Sequence, residues 1–299
     1  MRFACFGGAC EVRVADRAAA EAARDRLMDL HARFTRFDPD SELERLNADP
    51  RAAVPASPEM RALARAVRRA GERTGGLVDG TLAREIAAAG YAGATPPPNL
   101  PPELALRLAP RRRPASPAPE ARWRTVSAGI GAVHRPPGVA LDGGGLAKGL
   151  FADLIADDLD AHGDFVVACA GDLRIRSAEP RDVHVTDLFS GATVHTLALT
   201  DAGVATSGIT RRAWLGADGR PAHHLLDPAT GRPAYTGVAQ VTAVAPTALE
   251  AEVLAKAALL SGPAAAPSWL PYGGVVVRDD GSHAAYVGTG SRPSASAAA

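Results

Sequence analysis

The sequence contains few of the residues that mark several specialised protein classes. Its 299 residues include three cysteines, Cys5, Cys10 and Cys169, which are too few for a disulfide scaffold and form no CxxC zinc or redox motif. Aromatic residues make up 5% of the chain, which disfavours a surface that stacks nucleic-acid bases. The longest run dense in apolar residues covers only residues 165–170, whereas a membrane-spanning helix needs about 20 such residues.

Charge of one sign is not in excess either. Lys and Arg together number 33, as do Asp and Glu, so the formal net charge is zero. That balance argues against a protein whose main task is to neutralise nucleic-acid phosphates or an anionic membrane. The N-terminal segment turns polar by Glu11 and has no signal-peptide apolar region. We therefore expect a soluble, cytoplasmic protein with neither a nucleic-acid nor a membrane partner.

What is present is an ordinary globular composition, with 46% apolar and 22% charged residues. The length suffices for one large domain or two modest ones. Apolar spacing and capping residues predict a first strand at residues 3–14 and four helices in the N-terminal third. These helices are a helix over residues 16–34, a short helix capped by Ser41, a helix from Ser57-Pro58 to Gly75-Gly76, and a short helix within residues 77–91.

The rest of the chain is predicted to combine strands with two further helices. Residues 96–119 contain nine prolines and predict a connector outside the core. After it we expect strands near 123–130 and 139–141, a helix that stops at Gly163, a buried strand, and several short strands up to residue 245. A capping box at Thr247 predicts a helix that ends before Gly262. Strands near 274–278 and 284–287 follow, and residues 288–299 are predicted to form a flexible tail.

The sharpest chemical feature is the glycine-rich segment at residues 142–149 (DGGGLAKG). Three consecutive glycines permit a close approach of the backbone, and the N-terminus of the following helix suits a phosphate group. Lys148 adds a positive charge one turn into that helix. The segment is not a Walker A loop, because Lys148 is followed by Gly149 rather than by Ser or Thr. A tight strand–helix turn with a surface lysine explains the same pattern.

Four weaker segments also carry polar groups next to turn residues. In the first three segments the polar residue lies next to a glycine: Asp79 lies between Gly76 and Gly80, Asp172 follows Gly171, and Thr206 and Ser207 precede Gly208. In the fourth, His224 precedes the turn sequence DPATG at residues 227–231. Each segment can bind a ligand or transfer a proton, and each can equally be a cap or a turn. None of them decides the function on its own.

Taken together and in order, these segments resemble the ApbE family of FAD:protein FMN transferases. The resemblance covers about residues 6–262, and its motifs appear here as FGG (6–8), TRFDPDSELERLN (35–47), VDGT (78–81), DGGGLAKG (142–149), AGD (170–172), ATSG (205–208), HLLDPATG (224–231) and AEVLAK (251–256). It implies an α+β fold with two lobes, similar to a T-fold, and an FAD cleft between them. Residues 1–287 are then one catalytic unit.

The resemblance also implies a reaction and a set of site residues. The family moves FMN from FAD to a Thr or Ser hydroxyl of a target flavoprotein, using magnesium, and releases AMP. By its match to the family motifs, His224 is expected to act in proton transfer, and Gly145 and Glu252 are expected to hold Mg²⁺. The residues expected to contact FAD are Phe6, Phe37, Leu77, Val78, Asp79, Asp142, Lys148, Thr206 and Leu226.

One departure from the family pattern puts the metal in question. Where the family has Asp and Thr on the late helix, this chain has Glu252 and Lys256. An ammonium group has no lone pair with which to bind a metal ion. Glu252 and Lys256 can form an ordinary i,i+4 ion pair, or the Lys256 ammonium can replace the charge of the metal, or the alignment is shifted. A non-transferring FAD-binding protein and an FAD pyrophosphatase therefore remain alternative functions.

Overall fold

The computed structural model describes residues 1–93, 98–209, 213–216 and 218–289. Seven α-helices lie in these ranges, and several of the predicted caps are present. The helices are α1 (Arg17–Phe34), α2 (Glu42–Ala48), α3 (Pro58–Thr74), α4 (Ala83–Ala88), α5 (Pro102–Leu108), α6 (Ala147–Leu159) and α7 (Ala248–Ser261). None of these described helices has the length and apolar composition needed to span a bilayer. Most of the predicted flexible tail, residues 290–299, lies outside the described residues.

An antiparallel sheet of eight strands, in the order β1-β2-β6-β7-β8-β13-β14-β15, runs through the described chain. Three small sheets, β3-β5-β4, β9-β10 and β11-β12, lie outside it. The strands are β1 (Arg2–Cys5), β2 (Gly8–Val14), β3 (Ala53–Pro55), β4 (Ser127–Ala128), β5 (Ala132–His134), β6 (Phe165–Cys169), β7 (Asp172–Thr186), β8 (Thr193–Gly208), β9 (Ala213–Leu215), β10 (Pro221–His223), β11 (Leu226–Asp227), β12 (Arg232–Pro233), β13 (Val238–Ala245), β14 (Gly273–Arg278) and β15 (His283–Val287).

Helices α6 and α7 pack against each other and against the central strands of the large sheet. Helix α7 contacts β8 and β13, and α6 contacts β6 and β7. Strand β13 is buried along its whole length, and the apolar side chains of α6 and α7 belong to the same core. Helices packed on an antiparallel sheet define an α+β fold, so the predicted class is confirmed. The division of residues 1–287 into two lobes stays a prediction.

The predicted helix ends are confirmed where capping chemistry marks them. The hydroxyls of Ser41, Ser57 and Thr247 each accept a hydrogen bond from the backbone N–H three residues later, at 3.1 Å in all three cases. Helix α3 ends at Gly75, which has φ of 62°, a left-handed conformation that glycine adopts without the steric cost of a Cβ. Local residues therefore fix these helix ends.

Several of the predicted strands are wrong. Residues 3–14 form a hairpin rather than one strand, because Phe6 and Gly7 turn the chain with positive φ. Of the strand predicted near residues 123–130, only Ser127–Ala128 is a strand (β4), whereas residues 122–125 form a 3₁₀ turn that places the ring of Trp123 on Gly71 of α3. Residues 139–141 form no strand. The several short strands predicted up to residue 245 include two long ones, β7 and β8.

The proline-rich segment is also packed more closely than predicted. Its residues 96 and 97 lie outside the described residues, but Leu100 and Leu106 are buried. Helix α5 begins with Pro102, a position where proline costs little because the first-turn N–H groups have no helical partner. Arg112 then pairs with Asp279, which directly follows β14, with Nε 2.7 Å from Oδ2. The segment is thus attached to the core by apolar burial and an ion pair.

The start of α7 lies unusually close to two other backbones. A Cβ on Gly203 of β8 would lie 2.1 Å from the Thr247 carbonyl carbon, and a Cβ on Gly149 of α6 would lie 2.6 Å from the Ala248 oxygen. The Asp153 carboxylate on α6 accepts hydrogen bonds from the backbone N–H groups of Ala248 and Leu249, at 2.8 and 2.9 Å. Glycine at both close approaches allows α7 to sit directly on α6 and β8.

This close packing predicts a strong effect of one methyl group. Gly203→Ala should lower the free energy of unfolding by about 2–3 kcal/mol, because the new Cβ meets backbone that cannot move aside. Gly208→Ala, on the same strand, is the matched control, since its Cβ would make only ordinary contacts from 3.5 Å outward. Urea unfolding of both variants checks this. Equal losses of stability would contradict the assigned contact.

Candidate functional site

A cavity of about 580 Å³ lies above the start of α6, a volume typical of small-molecule sites. Most of the residues predicted from the sequence to form the site line it, although they come from distant parts of the chain. They are Phe6, Phe37, Leu77, Val78, Asp79, Asp142, Gly145, Lys148, His224, Leu226 and Lys256. Thr206 and Glu252, both in the described part of the chain, are not among the lining residues.

The glycine turn forms the floor of the cavity, but its geometry differs from a simple helix-end phosphate site. The Asp142 carboxylate accepts a hydrogen bond from Gly144 N–H at 3.1 Å, which tightens the turn. The N–H groups of Ala147 and Gly149 in the first turn of α6 already bind Gly143 O and Glu252 Oε2, at 2.8 and 2.9 Å. Positive charge on this floor therefore comes mainly from lysine side chains.

Those lysines belong to a cluster of four charged residues behind the turn: Lys148, Asp172, Glu252 and Lys256. Lys148 forms an ion pair with Asp172, and its Nζ lies 3.7 Å from Glu252 Oε1. Lys256 Nζ lies 3.1 Å from the same Glu252 oxygen. The side chains of Asp172 and Glu252 are 2% exposed, whereas those of Lys148 and Lys256 are 25% and 13% exposed. The lysines are thus the members that can meet a ligand.

Burial and charge pairing oppose each other in this cluster. Burial lowers the pKa of Lys148, but the charges of Asp172 and Glu252 outweigh it and raise that pKa above its usual value. Burial likewise raises the pKa of Glu252, but Lys256, Lys148 and the Gly149 N–H lower it overall. The contact between Lys148 and Glu252 therefore joins two charged groups at neutral pH.

An aromatic wall, made of Phe37, Tyr91 and Trp214, closes another part of the cavity. The rings of Tyr91 and Trp214 stack, with centroids 5.7 Å apart and an angle of 28°. Phe37 meets Tyr91 edge to face, and the Arg36 guanidinium lies 4.3 Å from the Tyr91 ring centroid. Trp214 is held in place by a 2.9 Å hydrogen bond from Nε1 to Ala89 O. This wall offers a flat apolar surface with a cation beside it.

Arg36, Tyr91 and Trp214 are site residues that the sequence reasoning missed. They are far apart in the chain, and Tyr91 and Trp214 lie outside the motifs that carry the family resemblance. A second group of rings also lines the cavity, where Phe151 packs against Phe6 and Phe34 with centroids 5.6 and 4.9 Å apart. Aromatic residues are scarce in the composition, and the fold concentrates them at this cavity. The sequence predicts Phe6 and Phe37 among these rings, but not Phe34, Tyr91, Phe151 or Trp214.

Asp79 offers an acceptor oxygen in the same cavity. Its Oδ1 accepts hydrogen bonds from the Thr81 N–H and hydroxyl, at 2.8 and 2.6 Å. Its Oδ2 is buried and has no hydrogen-bond partner among the described residues. Burial raises the pKa of this carboxyl above its usual value. An N–H donor of a ligand would satisfy Oδ2, as buried polar groups require.

The two adjacent histidines have different environments. His224 lines the cavity, whereas His223 at the end of β10 is fully buried. His223 Nδ1 accepts a hydrogen bond from Leu225 N–H at 3.2 Å, and its ring meets Tyr235 edge to face at 4.7 Å. Burial lowers the pKa of His223 to about 3. His223 is therefore a neutral structural residue that supports the segment carrying His224.

Thr206, which the family resemblance implies as an FAD contact, is not among the residues that line the cavity. It is exposed on β8, and its hydroxyl lies 2.8 Å from the Thr242 hydroxyl. Its N–H donates to Asp172 Oδ1 at 3.4 Å. Thr206 therefore reaches the cavity only indirectly, through the Asp172–Lys148 pair. A direct contact between Thr206 and FAD stays a prediction.

The residues at the expected magnesium position do not fit a divalent ion. Both Glu252 oxygens are engaged, Oε2 by Gly149 N–H and Oε1 by Lys256. Magnesium prefers oxygen ligands in octahedral order, and an ammonium group offers it no lone pair and repels it. The described residues also contain no group of three His, Cys, Asp or Glu side chains placed to hold a metal ion.

The buried His223 makes a pH-dependent contribution to stability. The unfolded residue has a pKa near 6.5 and the folded one about 3, so the unfolded state binds a proton first as the pH falls. The contribution of the neutral His223 to the free energy of unfolding is complete above pH 6.5 and decreases as the pH falls below that value. By pH 5 the free energy of unfolding has decreased by about 2 kcal/mol. The variant His223→Asn can still accept the hydrogen bond from Leu225 N–H but does not titrate. Between neutral pH and pH 5, the free energy of unfolding measured in urea should therefore fall by about 2 kcal/mol more in the wild type than in this variant. Parallel pH profiles would contradict a neutral buried His223.

Comparisons with known proteins agree on one family. The model of the ApbE family matches residues 6–276. An FAD:protein FMN transferase of Treponema pallidum is 34% identical over 156 residues, which are 44% of this chain and 42% of that protein. The Escherichia coli K12 enzyme of the same name is 41% identical over 61 residues, 20% of this chain and 17% of its own. These matches span less than half the length of the curated relatives.

The solved structures match over nearly the whole chain. The ApbE protein of Thermotoga maritima is 25% identical, with 95% of this chain and 96% of that chain covered and a TM-score of 0.76. The flavin transferase ApbE of Vibrio cholerae is 18% identical, with 97% and 96% covered and a TM-score of 0.75. The resemblance drawn from the sequence motifs is thus confirmed. The chain belongs to the ApbE family.

Proposed function

We propose that this protein is an FAD:protein FMN transferase, which moves FMN from FAD to a Thr or Ser hydroxyl of a target flavoprotein and releases AMP. The observation that carries the proposal is the distribution of groups in the cavity. Two aromatic surfaces, around Phe6 and around Trp214, lie in the same cavity as a glycine turn beside Lys148 and Lys256. FAD has two ring systems joined through a diphosphate, and this combination of surfaces is complementary to it.

Each part of the ligand then has a partner of suitable chemistry. The flavin and adenine rings would pack on the aromatic surfaces, with Leu77, Val78 and Leu226 adding apolar contact. Asp79 Oδ2 would accept from a ring or ribose donor. The diphosphate would lie over the glycine turn, where Lys148 supplies charge.

The reaction is a substitution at the phosphorus of the FMN half. The acceptor oxygen forms a bond to that phosphorus, and the bond to the AMP oxygen breaks with its electron pair leaving on AMP. The hydroxyl proton passes to His224, which is the cavity-lining histidine of the pair at positions 223 and 224. Positive charge on the floor offsets the negative charge that develops on the phosphoryl oxygens and on the departing AMP.

A second candidate is an FAD-binding protein without transfer activity. The cluster around Glu252 favours it, since that cluster does not provide the metal ligands that the family resemblance implies. A third, FAD hydrolysis to FMN and AMP, would use water as the acceptor in the same cavity. The products distinguish these three functions.

The proposal is tested by incubating the purified protein with FAD and a desalted cell extract as the source of acceptor proteins, with and without Mg²⁺. Transfer predicts flavin fluorescence on a protein band after denaturing electrophoresis, and AMP in equal amount. AMP with free FMN would indicate hydrolysis, and bound FAD without AMP under any condition would indicate a binding protein. Either result would refute the transferase proposal.

His224→Gln should lower the transfer rate by about 10²-fold or more while FAD still binds, because only the proton acceptor is lost. His134→Gln, at an exposed position on β5, is the control and should leave the rate unchanged. Initial rates of AMP release check both variants. An unchanged rate in His224→Gln would exclude its role in proton transfer.

Binding of FAD should quench tryptophan fluorescence through Trp214, which lines the cavity, whereas Trp123 packs on Gly71 elsewhere. Trp214→Phe keeps an aromatic ring at the wall but should lose most of the quenching. Trp123→Phe should retain it. Tryptophan fluorescence is measured during titration of each variant with FAD. Equal quenching in both variants would mean that the rings of FAD do not bind beside Trp214.

A further inference from the structure

We infer that the Lys256 ammonium serves as the fixed cation for the diphosphate of FAD, so that this site binds FAD without a divalent metal ion. The inference rests on the proposed function and concerns one residue of the same site. It starts from the disagreement between the family expectation of magnesium and the groups that occupy that position in this chain.

The position of Lys256 is the first support. It lies one turn after Glu252 on α7, and its side chain reaches the cavity over the glycine turn. A Cβ placed on Gly145 would lie 3.1 Å from Lys256 Cε and 3.7 Å from Nζ. The ammonium is therefore beside Gly145, the residue expected from the family resemblance to offer a metal ligand. A cation is present there as part of the chain.

The second support is that Glu252, the one carboxylate expected to bind the metal ion, already has partners for both of its oxygens. Glu252 Oε2 accepts from Gly149 N–H at 2.9 Å, and Oε1 lies 3.1 Å from Lys256 and 3.7 Å from Lys148. A divalent ion at Oε1 would have to displace one ammonium and remain close to the other. Repulsion between these charges in a partly buried site opposes binding of the ion.

The third support is the local charge balance. With both carboxylates ionised, the cluster of Lys148, Asp172 and Glu252 would have one excess negative charge in the absence of Lys256, and that charge would repel a diphosphate. With Lys256 the cluster is neutral, and the side chains of its two lysines are more exposed than those of its two carboxylates. A diphosphate bound above the turn can thus contact cations while the carboxylates stay behind them.

The test measures FAD affinity by calorimetry in EDTA and in millimolar Mg²⁺, together with Mn²⁺ binding by electron paramagnetic resonance in the presence of FAD. The wild type should bind FAD equally in both buffers and should bind no Mn²⁺ at the site. Lys256→Met should weaken binding at least about tenfold in EDTA, as expected for loss of a charge-assisted contact. Arg65→Met, an exposed cation on α3, is the control and should bind like the wild type.

A variant that gains metal dependence distinguishes a change in the binding mode from a general loss of FAD affinity caused by misfolding. Glu252→Asp combined with Lys256→Thr introduces the oxygen ligands that the family resemblance implies. It should bind FAD weakly in EDTA, recover affinity in Mg²⁺, and bind Mn²⁺. Lys256→Arg retains the charge and should keep metal-independent binding, and thermal unfolding identifies any variant that fails to fold.

Failure of this inference is distinguishable from failure of the proposed function. If the wild type requires Mg²⁺ for FAD binding, or binds Mn²⁺ beside FAD, the inference is wrong even where FMN transfer is observed. If Lys256→Met binds FAD as the wild type does in EDTA, the inference is also wrong. If FAD binding is metal-independent and needs Lys256 but no transfer occurs with any acceptor, the inference holds and the transferase proposal fails.

Discussion

The buried carboxylate of Glu252 is the interaction on which the site depends. Its side chain is 2% exposed, and a charge in that position is tolerated only when it is paired and hydrogen-bonded. One oxygen binds the backbone of Gly149 at the start of α6, and the other faces the ammonium groups of Lys256 and Lys148. The same group therefore joins α7 to α6 and directs two cations toward the glycine turn.

That arrangement requires the start of α7 to lie close to α6 and β8. Glycines at 149 and 203 leave the space, and Asp153 binds the first N–H groups of α7. A longer separation would move Glu252 away from Gly149 and leave a buried charge without its partners. Packing of the core and electrostatics of the site are thus set by the same contacts.

The sequence predicted best what local chemistry determines. Serine and threonine caps and the glycine at 75 fixed helix ends, and the segment at 142–149 marked the cavity floor. It predicted poorly what distant contacts determine. The sequence near Trp123 predicts a strand because nothing nearby reveals Gly71 as its partner, and the stacking of Tyr91 on Trp214 joins residues far apart in the chain. Family resemblance recovered residues within motifs, whereas the aromatic wall lies largely outside them.

The cluster also gives a physical account of what a fixed cation changes in such a site. An ammonium held on α7 has its position set by folding, so in the proposed binding mode no ion would be recruited before FAD. It supplies one positive charge where a divalent ion supplies two, and part of that charge is already used by Glu252. Stabilisation of the developing phosphate charge must then be shared with Lys148, which itself pairs with Asp172. In the proposed transfer, both ammonium groups would have to turn partly from their carboxylates toward the ligand, and the lysine side chains, 25% and 13% exposed, are the more accessible members of the cluster.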